Sequence, residues 1–382
     1  MYPSAKLCAA LLLLAGSRLA LADNAAAAID ALVQSAAAET MQQHQIPGLA
    51  IALSVNGQSH YYNYGVASRQ TGQAVSSDTL FEIGSVSKTF TVTLAAYAQA
   101  KGQLSLSDQV GKHLPELQGS PFAEVTLVNL ATHTAGGFPL QVPEAVHDNA
   151  QLLDYLKAWQ PQYSAGSQRT YANPSIGMLG VIAAKSLHLP YAEALERQLF
   201  PALGMPNSYL RVPANRQALY AQGYSKDDAP ARLNPGVLAD EAYGVKTSAR
   251  DLLHFVEAQL GHTELQPQLA QALRATRTGY FTLGAMTQDL IWEQYRYPVA
   301  LEALLQGNSS QVAYQSHAVN PLQPPLPAQD AVWVNKTGST NGFGAYVAFV
   351  PARQIGIVLL ANRNYPNEAR VRLAYRILSA LE

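Results

Sequence analysis

Sulfur is nearly absent from this chain. One cysteine, Cys8, occurs in 382 residues, so no intrachain disulfide can form and no thiolate metal centre can be assembled. Charge is scarce as well: charged residues make up 13% of the chain and almost cancel, leaving a formal net charge of −1 at pH 7. The basic surface excess that holds nucleic acid is therefore missing, and nucleic acid is not an expected partner. The nine histidines show no His-x-His or His-Glu-x-x-His spacing, and His44, His60, His133 and His188 read as structural or surface residues. Neither a Gly-x-Gly-x-x-Gly nor a Walker loop is present. No metal and no cofactor are expected. Aromatics reach only 8%, and the tyrosines are adequately explained as packing and surface hydrogen-bonding groups.

What is present begins with an export pattern. Lys6 precedes an apolar core from Leu7 to Gly16, too short to span a bilayer, and Ala20-Leu21-Ala22 forms an A-x-A cleavage site. Residues 1–22 are thus expected to be a signal peptide, with cleavage before Asp23 and a periplasmic location. The mature chain would then lack any thiol, which an oxidising compartment tolerates.

With 48% hydrophobic residues, the remainder can bury a large core. A helical run covers residues 25–44. Two strands, 49–55 and 60–66, flank Asn56-Gly57, a strong hairpin signal. Helices and long loops dominate from about 85 to 261, including a capping box at Ser248-Ala249-Arg250-Asp251. The proline-rich stretch 320–327 reads as a surface loop. Strands at 331–336, 343–350 and 356–362 then lead into a last helix over 366–381. Strands at both ends with helices between them imply an α+β fold, an antiparallel sheet flanked by N- and C-terminal helices, with a mainly helical insertion. The expected division is one domain over residues 23–382. Its sheet part is about 23–84 plus 262–382, and its helical part about 85–261.

Three short runs carry chemistry. Ser85-Val86-Ser87-Lys88 opens a helical stretch that reaches Ala100, so a serine and a lysine three residues apart share one helical face. Serine is a poor nucleophile unless a proton acceptor lies within hydrogen-bond reach, and Lys88 supplies one. No other lysine in the chain has Ser or Thr three residues before it. Tyr171-Ala172-Asn173 precedes Pro174 and a helical run, which suggests Asn173 as helix cap. A phenol near two ammonium groups is stabilised as phenolate and becomes a candidate base, while the Asn173 amide would orient Lys88 and bind a substrate amide. Lys336-Thr337-Gly338 ends a strand in which Lys336 shares a face with Val332 and Val334. Gly338 permits close backbone approach, so the N–H groups of Ser339 and Ser85 are the candidate oxyanion hole.

Together, in this order and at these separations, the runs resemble those of the class C serine β-lactamases, the cephalosporinases, within the penicillin-recognising serine hydrolases. Further stretches extend the resemblance over nearly the whole mature chain: Ile46-Pro47-Gly48, Phe81-Glu82-Ile83-Gly84, Thr134-Ala135-Gly136-Gly137, Pro139-Leu140-Gln141-Val142-Pro143, Glu241-Ala242-Tyr243-Gly244-Val245-Lys246-Thr247 and Ala361-Asn362-Arg363-Asn364-Tyr365-Pro366. The resemblance implies a β-lactamase/transpeptidase-like α/β sandwich and a monomeric enzyme without membrane anchor. Such an enzyme hydrolyses cephalosporins and penicillins through an acyl-enzyme on Ser85 and confers β-lactam resistance. By the same implication Lys88 and Tyr171 share the acid and base steps, with Lys336 beside them. Asn173 and Gln141 hold the acylamino group, Tyr243 lines the opposite wall, and Lys336, Thr337, Gly338, Ser339, Asn367 and Arg370 face the substrate carboxylate and the reacting carbonyl. A DD-peptidase or a serine esterase of the same superfamily, or a penicillin-binding sensor that is acylated without turnover, remain alternatives. A sensor needs an output segment or membrane anchor, and none is expected here.

Overall fold

The structure, a computed structural model, describes residues 27–381. The expected signal peptide and cleavage site, and Cys8, lie outside the described residues. Helix α1 occupies 27–44 and leads into the hairpin β1 (Gly48–Val55) and β2 (Gln58–Gly65). Its turn is Asn56-Gly57, both at positive φ (51° and 79°), the backbone that two-residue hairpins with right-handed twist require.

Seven further strands complete the main sheet. They are β3 (Gly279–Leu283), β4 (Met286–Gln288), β5 (Glu293–Arg296), β6 (Asn320–Leu326), β7 (Val332–Ser339), β8 (Gly344–Val350) and β9 (Ile355–Ala361). The order across the nine-stranded sheet is β6-β3-β4-β5-β7-β8-β9-β1-β2, with antiparallel pairing throughout. N- and C-terminal strands therefore meet at the β9–β1 pair, where Leu49 faces Ala361 and Val55 faces Ile355. The stretch 320–327 corrects its sequence reading. It is an edge strand whose register slips between Pro321 and Leu326, and the edge is where a sheet tolerates prolines that cannot donate to a ladder. Strands β3 to β5 lack a clean alternation and were not anticipated.

Alternation along the central strands sends side chains into two cores. Leu49, Ile51 and Leu53 of β1, with Ile357 and Leu359 of β9, pack with Val33 and Ala37 of α1 and with Val371, Ala374 and Ile377 of the last helix. On the opposite face, Ala50, Ala52, Val347, Phe349, Val358 and Leu360 join the helical half of the molecule. Helix α2 (Lys88–Ala100) runs through that half and is buried on nearly all sides. It packs against α3 (Asn173–Ser186), beside which lies the short α4 (Ala239–Ala242). Helix α5 (Ala249–Leu260) lies on the sheet, α6 (Pro267–Thr276) packs on α2, and α7 (Asn367–Leu378) closes the other face. The expected cap of α5 is in place, the Ser248 hydroxyl accepting from the Asp251 N–H at 3.1 Å. The expected cap of α3 is not: Ala172 holds the cap position, and Asn173 is already helical with its side chain turned elsewhere.

The two halves touch closely at the turn Gly84–Ser87, a 3-10 turn that precedes α2. A Cβ on Gly84, which sits at φ +50°, would lie 2.4 Å from the Ser339 carbonyl oxygen. One on Gly338 would lie 2.0 Å from the Ile83 carbonyl oxygen and 3.0 Å from the Ser85 nitrogen. Two glycines thus let the backbone before α2 press on the end of β7. Gly338→Ala is expected to force the two segments apart, at a cost of about 1–3 kcal/mol as for other overpacked sites. Denaturant unfolding checks this, and wild-type stability in that variant would contradict the close backbone contact.

Candidate active site

That contact brings the three runs together. Ser85 lies in the 3-10 turn rather than inside the α-helix, and Lys88 is the first α-helical residue. The Lys88 ammonium donates to Ser85 Oγ at 3.0 Å and to the Ala242 carbonyl of α4 at 2.8 Å. Among the described residues it has no hydrogen bond to Asn173, contrary to expectation. The Asn173 amide donates instead to Gln141 Oε1 at 2.8 Å, and the orienting partner of Lys88 is a main-chain carbonyl. Lys88 is completely buried. Burial, joined by repulsion from Lys336, lowers its pKa to about 8 against the opposing pull of Tyr171.

Tyr171 stands over the same group. The Lys88 and Lys336 ammonium nitrogens lie 5.3 Å and 5.0 Å from its ring centroid, and the Arg169 guanidinium carbon lies 5.5 Å away. Its hydroxyl oxygen is buried and completes no hydrogen bond of regular geometry, although Ser85 is near enough to stabilise its anion. Burial pushes the phenol upward, but Lys336, Lys88 and Ser85 outweigh it, and the pKa falls to about 8. Two neighbouring buried groups whose pKa values both lie near 8 titrate as a coupled pair.

The backbone completes the arrangement. Thr340 N–H bonds the Phe343 carbonyl, which makes that pair hydrogen-bonded. Alternation then makes the next pair, Ser339 and Gly344, a non-bonded one. The Ser339 N–H is therefore directed away from β8, toward the Ser85 turn. The Ser85 N–H, in the first turn of its own helix, has no intrahelical acceptor by position. Ser85, Gln141, Tyr171, Asn173, Tyr243, Lys336, Thr337, Gly338, Ser339 and Asn367 all line one cleft of about 460 Å³.

Arg370 does not reach that cleft. It is wholly buried, donating to the carbonyls of Gly338 (2.6 Å), Ala345 and Tyr365, to Ser339 Oγ (2.9 Å) and to Asn364 Oδ1 (2.8 Å). Burial lowers its pKa to about 10. Its two terminal nitrogens are committed to these partners and its unpaired Nε is itself buried, so the guanidinium presents nothing to the cleft and instead holds the Gly338-Ser339 backbone from behind.

Several site groups carried no motif. Arg169 is buried and donates to Glu293 (2.9 Å), to Gln288 (2.6 Å) and to the Val312 carbonyl. Asn335 accepts from Asn308 and Tyr346 and donates to the Glu293 carbonyl, tying β7 to β5 just before Lys336. Position two before Tyr171 was the only sequence hint of Arg169. Among the described residues no cluster of His, Cys, Asp and Glu suited to a metal ion occurs, and no helix is long and apolar enough to cross a membrane.

Known proteins share this architecture. A family model described as beta-lactamase matches residues 33–382. A beta-lactamase of Lysobacter lactamgenus is 56% identical over 355 residues, which is 93% of this chain and 92% of that protein. A crystal structure from Pseudomonas syringae, named as a beta-lactamase/D-alanine carboxypeptidase, is 57% identical with a TM-score of 0.92, covering 93% of this chain and 99% of that one. A class C beta-lactamase crystallised with cefoxitin is 50% identical with a TM-score of 0.91, covering 93% and 99%.

The electrostatics of Tyr171 can be checked without any substrate. With ¹³C-labelled tyrosine, the resonance that Tyr171→Phe removes should titrate near pH 8, below the ordinary phenol value of about 10. Lys336→Ala removes the larger of the two lysine attractions and should move that titration upward. A Tyr171 titration at or above pH 10 in the wild type would contradict the charge arrangement.

Proposed function

The chain belongs to the beta-lactamase family, with the structure of its class C members and the hydrolase activity on β-lactams that membership entails; from that premise we propose that it hydrolyses cephalosporins and penicillins through an acyl-enzyme on Ser85. The observation that carries this reading is the buried Lys88 ammonium 3.0 Å from Ser85 Oγ, beside a phenol whose pKa has come down to about 8.

In the proposed acylation, Ser85 Oγ attacks the lactam carbonyl carbon and its proton passes to the Lys88–Tyr171 pair. The carbonyl oxygen becomes an anion held by the N–H groups of Ser85 and Ser339, donors fixed in place before charge develops. Collapse breaks the C–N bond, and the proton on the pair is delivered to the leaving nitrogen. In deacylation a water molecule gives its proton to the same pair, attacks the ester carbon and releases Ser85 Oγ, which takes the proton back. Lys336, Thr337 and Asn367 bind the substrate carboxylate, with Arg370 withdrawn from that role to positioning Ser339. Asn173 and Gln141, already bonded to each other, receive the acylamino group, and Tyr243 bounds the other side.

A second reading is favoured by the Pseudomonas syringae relative, whose name includes D-alanine carboxypeptidase. The same acyl transfer from a D-alanyl-D-alanine terminus would use the same groups. The export pattern at Lys6, Leu7 to Gly16 and Ala20-Leu21-Ala22 supports periplasmic action, where both substrate classes are met, and the enzyme is taken as a monomer.

Continuous turnover of a chromogenic cephalosporin is the expected result, together with a mass increase of one substrate on the Ser85 peptide when a slow β-lactam is used. Tyr171→Phe should reduce turnover by about 10²–10⁴-fold, the usual contribution of a positioned acid–base group, with circular dichroism unchanged. One equivalent of colour followed by silence, with release of D-alanine from a D-alanyl-D-alanine peptide, would replace the lactamase by the peptidase. An adduct on another serine would remove Ser85 from its role.

A further inference from the structure

His133 brackets Tyr171 on three sides without lining the cleft. Its carbonyl accepts the Thr170 N–H at 2.8 Å. Its imidazole Nδ1 accepts the Ala172 N–H at 3.2 Å. Its ring packs on the Tyr171 ring with centroids 4.2 Å apart, at a tilt of 42°. The residue is 1% exposed. It also sits at φ +60°, a left-handed backbone that a bulky non-glycine residue seldom adopts. We propose that His133 is the positioning residue for Tyr171, a neutral imidazole that fixes the phenol through the peptide groups on either side of it and through the face of its ring. This rests on the reading in which Tyr171 moves the proton.

The tautomer follows from the hydrogen bond. Because Nδ1 accepts from a main-chain N–H, it carries no proton, and the neutral ring bears its hydrogen on Nε2. Nε2 is buried and makes no hydrogen bond, an arrangement that lowers stability and that a phenylalanine would avoid. A phenylalanine, however, would leave the buried Ala172 N–H without an acceptor, and an asparagine would leave the Tyr171 ring without its neighbour. Only a ring with an acceptor nitrogen serves both contacts.

The charged groups around the pair are Lys88 from α2, Lys336 from β7, Arg169 from the short strand Gln168–Arg169, and Glu293 from β5. Burial and the three cations all oppose protonation of His133 and hold its pKa well below the usual value. A charged imidazole would lose the Ala172 bond and add a fourth cation beneath the phenol. The ring therefore remains neutral across the working range, and the balance of charge on Tyr171 is left to the lysines.

Two variants divide the contributions. His133→Phe keeps a ring and deletes the acceptor; His133→Asn suits the left-handed backbone, offers an amide oxygen to Ala172 and deletes the ring. Each is measured for unfolding, for kcat and KM with a chromogenic cephalosporin, and for the ¹³C titration of Tyr171. His133→Phe is expected to lower kcat by about 10²-fold, the scale of a displacement near 1 Å, with KM within about twofold because no cleft contact changes. His133→Asn should retain more of kcat than His133→Phe. In both, the Tyr171 titration should move upward as the phenol drifts from Lys88 and Lys336. If His133→Phe does not fold, His133→Asn and its titration decide the matter. A folded variant with lowered stability but wild-type kcat and an unmoved titration would assign His133 to the core alone and overturn the proposal. Failure of the wild type to turn over any cephalosporin would sink the proposed function, whereas the titration would still decide what His133 does to Tyr171.

Discussion

A lysine ammonium with no carboxylate against it, buried completely between a serine hydroxyl and a main-chain carbonyl, is the constraint to which the rest of the structure answers. Burying such a charge without an ion pair is costly, and its pKa falls to about 8 as a result. Proteins keep such a group only where the surroundings over-determine its place. Here the surroundings are α2, enclosed on nearly all sides by α3, α4 and α6, and the end of β7. The Ala242 carbonyl fixes the far side of the ammonium, and the Ser85 turn fixes the near side. Lys336 adds a second buried cation, 2% exposed, and Tyr171 lies between the two. Crowding these groups together brings the pKa values of both Lys88 and Tyr171 down to about 8.

The supporting shell is built from two arginines, Arg169 and Arg370, committed to protein partners. Arg169 and Glu293 form a buried pair at 2.9 Å that joins the strand before Tyr171 to β5. Arg370 joins α7 to Gly338 and Ser339. Each guanidinium is planar and carries five donors, so one side chain can bind several carbonyls at fixed angles. The first holds the Tyr171 side of the site and the second the Gly338-Ser339 side. The sheet serves as the platform for both, because its N- and C-terminal strands are zipped together at β1 and β9.

Much of this was legible in the chain. Ser85 and Lys88 could be paired because a spacing of three brings side chains together on a helix, and the Asn56-Gly57 hairpin followed from the backbone its turn needs. The three central C-terminal strands were evident from short runs rich in β-branched, aromatic and other apolar residues. Arg370 was placed at the substrate carboxylate by the resemblance, whereas it is buried with its terminal nitrogens donating to main-chain carbonyls, Ser339 Oγ and Asn364 Oδ1. Asn173 was misjudged as a cap because Asn before Pro favours that position locally, but the side chain finds a better partner in Gln141, 32 residues away in sequence. The edge strand 320–326 hid behind its prolines. His133 read as an ordinary structural or surface residue, since nothing in one dimension places it beneath Tyr171. What remained hidden is of one kind, contacts made by main-chain groups or by residues distant in sequence, for which no periodicity or motif exists.

Acylation of Ser85 as proposed would seat the ester carbonyl oxygen between two backbone N–H groups that Gly84 and Gly338 allow to come together. A crystal structure of the enzyme trapped with a slow β-lactam tests this most directly. The expected result is an ester on Ser85 Oγ whose carbonyl oxygen lies within about 2.7–3.1 Å of the Ser85 and Ser339 nitrogens, with Lys88 still bonded to the Ala242 carbonyl. An ester carbonyl turned out of that space, or a Lys88 ammonium swung away from Ala242, would contradict it.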